Sequence, residues 1–210
     1  MTSPTLIFHF THEDNLERIL SQGGLLCDQA CQTSGLNRRN IAYSSIKEKR
    51  ARTIVEVPPG GTLDKYVPFY FGAKSPMMLT YKSGNVTGKQ EDVSELLYFV
   101  STAEHIVSAG LQFAFTDGHP IVEPRSFFNN LADLREVDLA LMTEKWWNDT
   151  DEYPDRMRRR QAEFLVWDKV PLADFRGIAT MNEGKRTEVL NTLRRHGLEM
   201  PCKSRPDWYY

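Results

Sequence analysis

Glu163 opens the apolar, β-favouring run Glu163-Phe164-Leu165-Val166-Trp167, and four arginines, Arg156, Arg158, Arg159 and Arg160, stand just before it. A carboxylate at the start of a buried strand is costly to desolvate unless it is paired or has a chemical task. Two uses fit it. It could be a strand-edge acid paired with a nearby arginine, or it could be a catalytic carboxylate. On the residues alone the two readings stand level.

Other side chains able to do chemistry are scattered. His9 ends a short aromatic run, Leu6 to Phe10, with Thr11, His12 and Asn15 following. Arg50 closes Lys47-Glu48-Lys49-Arg50, with Arg52 close behind. A planar, permanently charged guanidinium suits an anionic ligand better than lysine does, but for either arginine alone a solvated helix end is the better explanation. His119 lies in the turn Asp117-Gly118-His119-Pro120, where a ring can reach a cleft or merely serve the turn. Upstream of Glu163, Trp146, Trp147 and Tyr153 accompany the arginines, and cations beside aromatic faces suit single-stranded nucleic acid. Lys74, Arg38, Arg39 and Lys89 would widen that patch, whereas Asp149, Asp151, Glu152 and Asp155 would make it an ordinary solvated face.

The absent motifs narrow the field. Neither a G-x-G-x-x-G after a strand nor a G-x-x-x-x-G-K-[ST] occurs, and there is no G-x-S-x-G or H-E-x-x-H. Cys27 and Cys31 have no second ligand pair at zinc spacing, so no metal is expected.

The elements that must position these residues can be read from pattern. Leu6–Phe10 predicts a strand, Thr11 an N-cap, and Leu16, Ile19 and Leu20 a helix stopped by Gly23-Gly24. Residues 27–40 predict a polar loop, 41–50 a helix, and Ile54–Val57 a strand ended by Pro58-Pro59-Gly60-Gly61. Pro68 marks Tyr66–Gly72 as an edge strand or an irregular extended segment. Leu96–Val100 reads as a central strand, with Ser101 or Thr102 capping a helix to Ser108, and Phe113–Thr116 as a further strand. Phe127–Trp147 predicts a helix, 149–155 a loop, 163–167 a strand, 183–196 a helix with Val189, Leu190 and Leu193 inward, and Trp208–Tyr210 a last strand. Strands and helices intersperse without regular βαβ alternation, which predicts α+β with split or twisted central sheets flanked by helices.

The chain of 210 residues suits one domain, 1–210, and should bury roughly 70% of its unfolded surface. A formal net charge of −2 rules out a global positive field, so any polyanion contact must be local. The chain has neither a secretory leader pattern nor an apolar run of about 18 residues, and its cysteines are few, so a cytoplasmic, monomeric protein without membrane contact is expected.

Five blocks, in order, resemble the DarT family. They are Phe8-His9-Phe10-Thr11-His12-Glu13-Asp14-Asn15-Leu16, Lys47-Glu48-Lys49-Arg50, Tyr66–Phe71 with Ser75-Pro76-Met77-Met78, Phe115-Thr116-Asp117-Gly118-His119, and Arg159-Arg160-Gln161-Ala162-Glu163-Phe164-Leu165-Val166. The resemblance implies an ADP-ribosyltransferase fold and NAD⁺-dependent ADP-ribosylation of a base, typically thymidine, in single-stranded DNA with a short sequence preference. It also implies a toxin whose macrodomain antitoxin, DarG, reverses the modification. Glu163 then matches the catalytic glutamate and Arg50 the family's arginine, with Arg52 as the alternative. By analogy His9, Phe10 and Thr11 grip the nicotinamide riboside, while Asn15 serves either that grip or the helix start. Tyr70, Phe71 and Met78 would pack on the nicotinamide or the acceptor base. His119 would orient NAD⁺ or the base, and either it or Glu163 would take the proton. Trp147, Tyr153, Arg156, Arg158, Arg159, Arg160 and Lys74 would hold the DNA strand. The same fold acting on RNA as a 2′-phosphotransferase, and a non-enzymatic single-strand-binding module, are the alternatives.

Overall fold

The structure is a computed structural model and describes residues 3–36, 39–41, 43–85 and 88–210. Its strands are β1 (Leu6–His12), β2 (Gly24–Leu26), β3 (Tyr66–Tyr70), β4 (Leu96–Thr102), β5 (Phe113–Thr116), β6 (Phe127–Phe128), β7 (Glu163–Trp167), β8 (Lys169–Pro171), β9 (Gly177–Thr180) and β10 (Cys202–Ser204). Its helices are α1 (Leu16–Ser21), α2 (Asp28–Thr33), α3 (Ser44–Arg50), α4 (Pro76–Lys82), α5 (Ala103–Ser108), α6 (Arg156–Arg159) and α7 (Glu183–Arg195). Eight strands form one sheet in the order β10-β9-β4-β1-β3-β7-β5-β6, and β2 pairs with β8 at one side.

Side chains alternate across this sheet. Ile7, Phe69, Phe99, Phe164 and Val166 join the core under α1, α5 and α7, which contribute Leu16, Ile19, Ile106, Val189 and Leu193. Phe8, Phe10, Tyr98 and Val100 face the other way, onto Met78 and Tyr81 of α4 and onto Tyr209. Among the described residues no helix is long and apolar enough to cross a membrane.

The sheet is parted in the middle. β1 pairs with β4 from Leu6↔Thr102 to His12↔Leu96, and β3 pairs with β7 from Tyr66↔Trp167 to Tyr70↔Glu163. Between β1 and β3 only Phe8↔Tyr70 is in register. Pro68 explains the gap, because it has no N–H to donate. Its carbonyl instead accepts from Nδ1 of His9 at 2.8 Å, so an imidazole sits where the ladder would run. The proline therefore does not put β3 at an edge, as its presence predicts. The strand is central, and the proline faces an internal seam. This is the split expected of the α+β reading.

Other elements depart from expectation for local reasons. Thr11 stays in β1, and His12 caps the following 3-10 turn by accepting from the Asp14 N–H. Residues 28–33 form a helix instead of a loop, capped by the Cys27 thiol accepting from the Ala30 N–H. The helix expected from Ile41 starts at Ser44. Ile54–Val57 contributes only an isolated bridge to Thr62, since Pro58 and Pro59 cannot extend a ladder. Phe127–Trp147 is not an α-helix. It gives β6 and two 3-10 turns, which Asn130 and Asp138 stabilise by accepting from the N–H groups of Ala132 and Leu141. Trp208 ends a 3-10 turn begun by Pro206, and the last strand is Cys202–Ser204, parallel to β9.

Candidate active site

A cleft opens where the sheet parts. His9 and Thr11 line it from one face of β1, and Phe10 and Tyr70 line it from the other face. Because the Pro68 carbonyl can only accept, Nδ1 of His9 carries the proton and Nε2 is the acceptor nitrogen of the ring. Thr11 Oγ1 accepts from Asn15 Nδ2 at 3.0 Å. Asn15 also holds both backbone groups of Arg39, donating to its carbonyl and accepting from its N–H, and so ties the segment above the cleft to the end of β1. Phe10 stacks on Tyr70 with 5.9 Å between ring centres, and burial pushes the Tyr70 phenol far above its ordinary value.

Tyr70 stands opposite Glu163 in the β3–β7 register. Glu163 is 5% exposed. Its backbone N–H donates to Thr116 Oγ1 at 3.1 Å, and Thr116 in turn donates to the Gly118 carbonyl at 2.6 Å, so β5 fixes the start of β7. Arg50, in the last turn of α3, meets this carboxylate: Nη1 donates to its two oxygens at 2.8 and 3.1 Å. Arg50 is itself buried, and its Nη2 has no hydrogen-bond partner. An orphaned buried donor beside a carboxylate is a place for a ligand oxygen. Both readings of Glu163 thus meet in one place: it is paired with an arginine, and the pair lines a cleft.

His119 also lines the cleft, and its N–H donates to the Arg158 carbonyl. Its Nδ1 accepts from the Ile121 N–H at 3.3 Å, which leaves Nε2–H as the donor of the neutral ring. Burial lowers the His119 pKa, outweighing the opposite pull of the Glu163 charge.

Several expected residues lie elsewhere. Arg52 is exposed beyond α3, so of the two arginines it is Arg50 that enters the cleft. Phe71 points away from Tyr70 by strand alternation and packs edge-on to Phe115 and Phe164. Met78 is fully buried under the sheet, and its neighbour Met77 faces the cleft instead. Arg158 is clamped by Asp155 at 2.8 Å and Asp117 at 3.1 Å, which raises its pKa further. Arg159 pairs with Asp138 at 2.9 Å. Arg160 is buried and donates to the Ala73 carbonyl. Trp147 is buried, donating to the Tyr210 hydroxyl at 3.2 Å. Arg156 packs over the exposed Tyr153 ring, and Lys74 stands in a left-handed turn with φ 54°. Arg38 lies outside the described residues. The basic run is therefore mostly a set of internal fasteners. Replacing Arg158 with Ala should lower the unfolding free energy by about 2 kcal/mol, the worth of hydrogen bonds to charged groups, and should leave the salt dependence of oligonucleotide binding as in the parent. Denaturant melts and a salt titration check this; a salt slope smaller by about one unit would show a phosphate contact instead.

Residue types alone did not single out Gln161, Met77 or Lys47. Spacing could have found two of them: Gln161 lies two residues before Glu163, in the turn that leads into β7, and Lys47 one turn before Arg50. Among the described residues no group of three or more His, Cys, Asp or Glu side chains converges on a metal position.

Comparison with known proteins agrees along the whole chain. The family described as ssDNA thymidine ADP-ribosyltransferase, DarT, matches residues 8–210. A DNA ADP-ribosyl transferase of Thermus sp. (strain 2.9) is 39% identical, covering 99% of this chain and 97% of its own. One from Escherichia coli O127:H6 is 31% identical, covering 98% and 93%. The Thermus sp. 2.9 DarT solved in complex with ADP-ribosylated ssDNA superposes with a TM-score of 0.90 at 38% identity, covering 99% of this chain and 97% of that one. The same protein with NAD⁺ gives 0.87 at 36% identity, covering 100% and 99%. The Thermosipho africanus DarTG with ADP-ribose shares the fold, with a TM-score of 0.78 at 16% identity, over 98% of this chain and 51% of that chain. The chain belongs to the DarT family of single-stranded-DNA thymidine ADP-ribosyltransferases.

Proposed function

We propose that this enzyme, an NAD⁺-dependent DNA ADP-ribosyltransferase, carries out its reaction in the parted-sheet cleft, with Glu163 as the carboxylate on which both half-processes depend. The observation that carries this reading is the Arg50–Glu163 pair, buried at 2.8 Å with a second guanidinium donor left over. His9 lines the cleft beside the nicotinamide ribose, and Thr11 and Asn15 hold the wall next to it. Tyr70, stacked on Phe10, offers an apolar surface to the nicotinamide ring. Arg50 Nη2 takes an oxygen of the dinucleotide, the pyrophosphate being the best match to its charge.

In the step itself the bond from ribose C1″ to the nicotinamide nitrogen breaks, and nicotinamide leaves neutral. A bond forms from C1″ to a ring nitrogen of thymine, and the proton of that nitrogen passes to Glu163 and on to solvent. Glu163 also stabilises the oxocarbenium-like charge that develops between the two events. His119 is not the proton acceptor in this arrangement, because its Nδ1 is engaged by Ile121 and its Nε2 carries the hydrogen. It donates instead to a carbonyl of the base or to a phosphate oxygen.

Two measurements test the assignment. Incubation with NAD⁺ and a panel of single-stranded oligonucleotides should add the mass of one ADP-ribose to thymidine-containing strands and not to RNA or protein acceptors. Undiminished RNA or protein labelling would move the acceptor class. For His119, lowered pKa means that less than half of the ring is charged at pH 6.5, where an ordinary imidazole is half charged. Activity should therefore fall by less than half from pH 8 to pH 6.5. Half-loss at pH 6.5 that His119→Gln abolishes would show a titrating base and overturn the donor role.

As a DarT toxin the protein is expected to act in the cytoplasm and to be opposed by a macrodomain antitoxin that removes the ADP-ribose. Growth arrest on expression, relieved by such a macrodomain, tests this.

A further inference from the structure

A second groove lies beyond the end of β3, on the side of Arg160 away from Glu163 in sequence, and none of its aromatic surface is used by the chemistry above. Trp146 stands at its rim, 69% exposed, the most exposed large hydrophobic side chain among the described residues. This exposure does not come from a loose loop. Arg156 Nη2 donates to the Trp146 carbonyl at 2.6 Å, and the next residue, Trp147, is buried and bonded to Tyr210. Tyr210 in turn donates to the Lys74 carbonyl at 2.6 Å. One tryptophan is an anchor, and its neighbour is held out into solvent by that anchor. A fixed, solvent-facing indole costs apolar exposure and offers a stacking platform.

The charge beneath the groove is equally unusual. Arg160 is 2% exposed and lines it. Its guanidinium donates to the carbonyls of Ala73 and Lys74, its Nε has no partner, and no carboxylate among the described residues lies within ion-pair distance. Burial pulls its pKa below the ordinary value, with only the Tyr210 and Tyr98 phenols acting against that. Lys74 and Lys145 add positive charge at the rim, Lys145 over the Trp146 ring. Of the two acids there, Asp207 is bonded to Arg205 at 2.6 Å, which leaves Glu144. An uncompensated buried cation beside a fixed aromatic face is the pairing that single-stranded nucleic acid uses, phosphate to cation and base to ring.

We propose that this groove holds nucleotides of the acceptor strand next to the one modified, with a base on Trp146 and the backbone over Arg160 and Lys74. The two sites adjoin along the chain. Arg160 is three residues before Glu163 on one chain segment, and Tyr70 to Lys74 links them on the other. A strand whose target base enters the cleft between Tyr70 and Glu163 can run its flanking nucleotides directly onto the Trp146 platform. The proposal rests on the single-stranded DNA reading of the acceptor.

The test is a length series. Wild-type protein and Trp146→Ala are given thymidine oligonucleotides of 4 and 16 nucleotides with saturating NAD⁺, and KM for DNA is measured. Wild type should favour the 16-mer, and the variant should raise KM for the 16-mer about tenfold, as expected from one lost stacking contact. The 4-mer KM should move less than about twofold, and Trp146→Phe should restore most of the 16-mer advantage. An unchanged ratio of the two KM values, as a protein-binding groove would give, overturns the proposal. So does an equal loss on both lengths. A wild-type protein that labels no oligonucleotide of either length fails at a different point, sinking the acceptor reading itself.

Discussion

Glu163→Gln should abolish DNA labelling, lowering the single-turnover rate by at least about a thousandfold, roughly 4 kcal/mol in the barrier. Two functions are lost at once. The amide cannot stabilise an oxocarbenium-like ribose as a carboxylate does, and it cannot accept the thymine proton. Folding should survive, because Gln keeps the volume and one acceptor for Arg50 Nη1, which now reaches both carboxylate oxygens at 2.8 and 3.1 Å. Glu163→Ala is the poorer probe. It strands Arg50 in a buried position without a counter-charge, a change that costs about 3–5 kcal/mol of stability in typical cases. NAD⁺ affinity of the Gln variant should stay within about threefold, measured by calorimetry. Labelling within tenfold of the parent would remove Glu163 from the chemistry.

The second large effect is expected at Arg50. Arg50→Lys keeps one positive charge and loses the planar fork, so it cannot hold Glu163 and a dinucleotide oxygen together. KM for NAD⁺ should rise about tenfold for the lost charge-assisted bond, and kcat should fall as well, because Glu163 loses the partner that aims it. Arg52→Ala should stay within about twofold on both, being exposed and outside the cleft. The comparison is decisive in either direction: a larger effect at Arg52 than at Arg50 would overturn the placement. A double-mutant cycle of Arg50→Lys with Glu163→Gln should be strongly non-additive, since the two residues form one unit.

Much of this was legible from the chain. β7 begins and ends where its apolar run does, Thr102 caps α5 by accepting from the His105 N–H, and α7 runs from its Asn182 cap to Gly197 at φ 65°. Those elements are specified by local chemistry. The misreadings share a cause too. Phe127–Trp147 has helical periodicity, yet side-chain caps within it favour short 3-10 turns, and periodicity does not weigh one against the other. Within the site, Tyr70 and Phe71 have the same composition signal and opposite faces, and Met77 and Met78 differ only in helical phase. Choosing within such pairs needs the strand register and the start of α4, which tertiary contacts set. The arginine run needs the fold for another reason: of its acidic neighbours only Asp155 holds an arginine, Arg158, while Arg159 pairs with the distant Asp138 and Arg156 and Arg160 bond to backbone carbonyls.

Pro68 carries a consequence for where the reaction takes place. His9 and Thr11, proposed to hold the nicotinamide ribose, sit on β1, and Glu163 sits on β7, which is zipped to β3. Across the one place where these halves could close on each other, the backbone lacks a proton, and a histidine takes up the vacant acceptor. The opening is thus written into covalent structure rather than left to packing. On the proposed reading donor and acceptor meet at this seam, where Pro68 removes a backbone hydrogen bond that would otherwise close β1 onto β3.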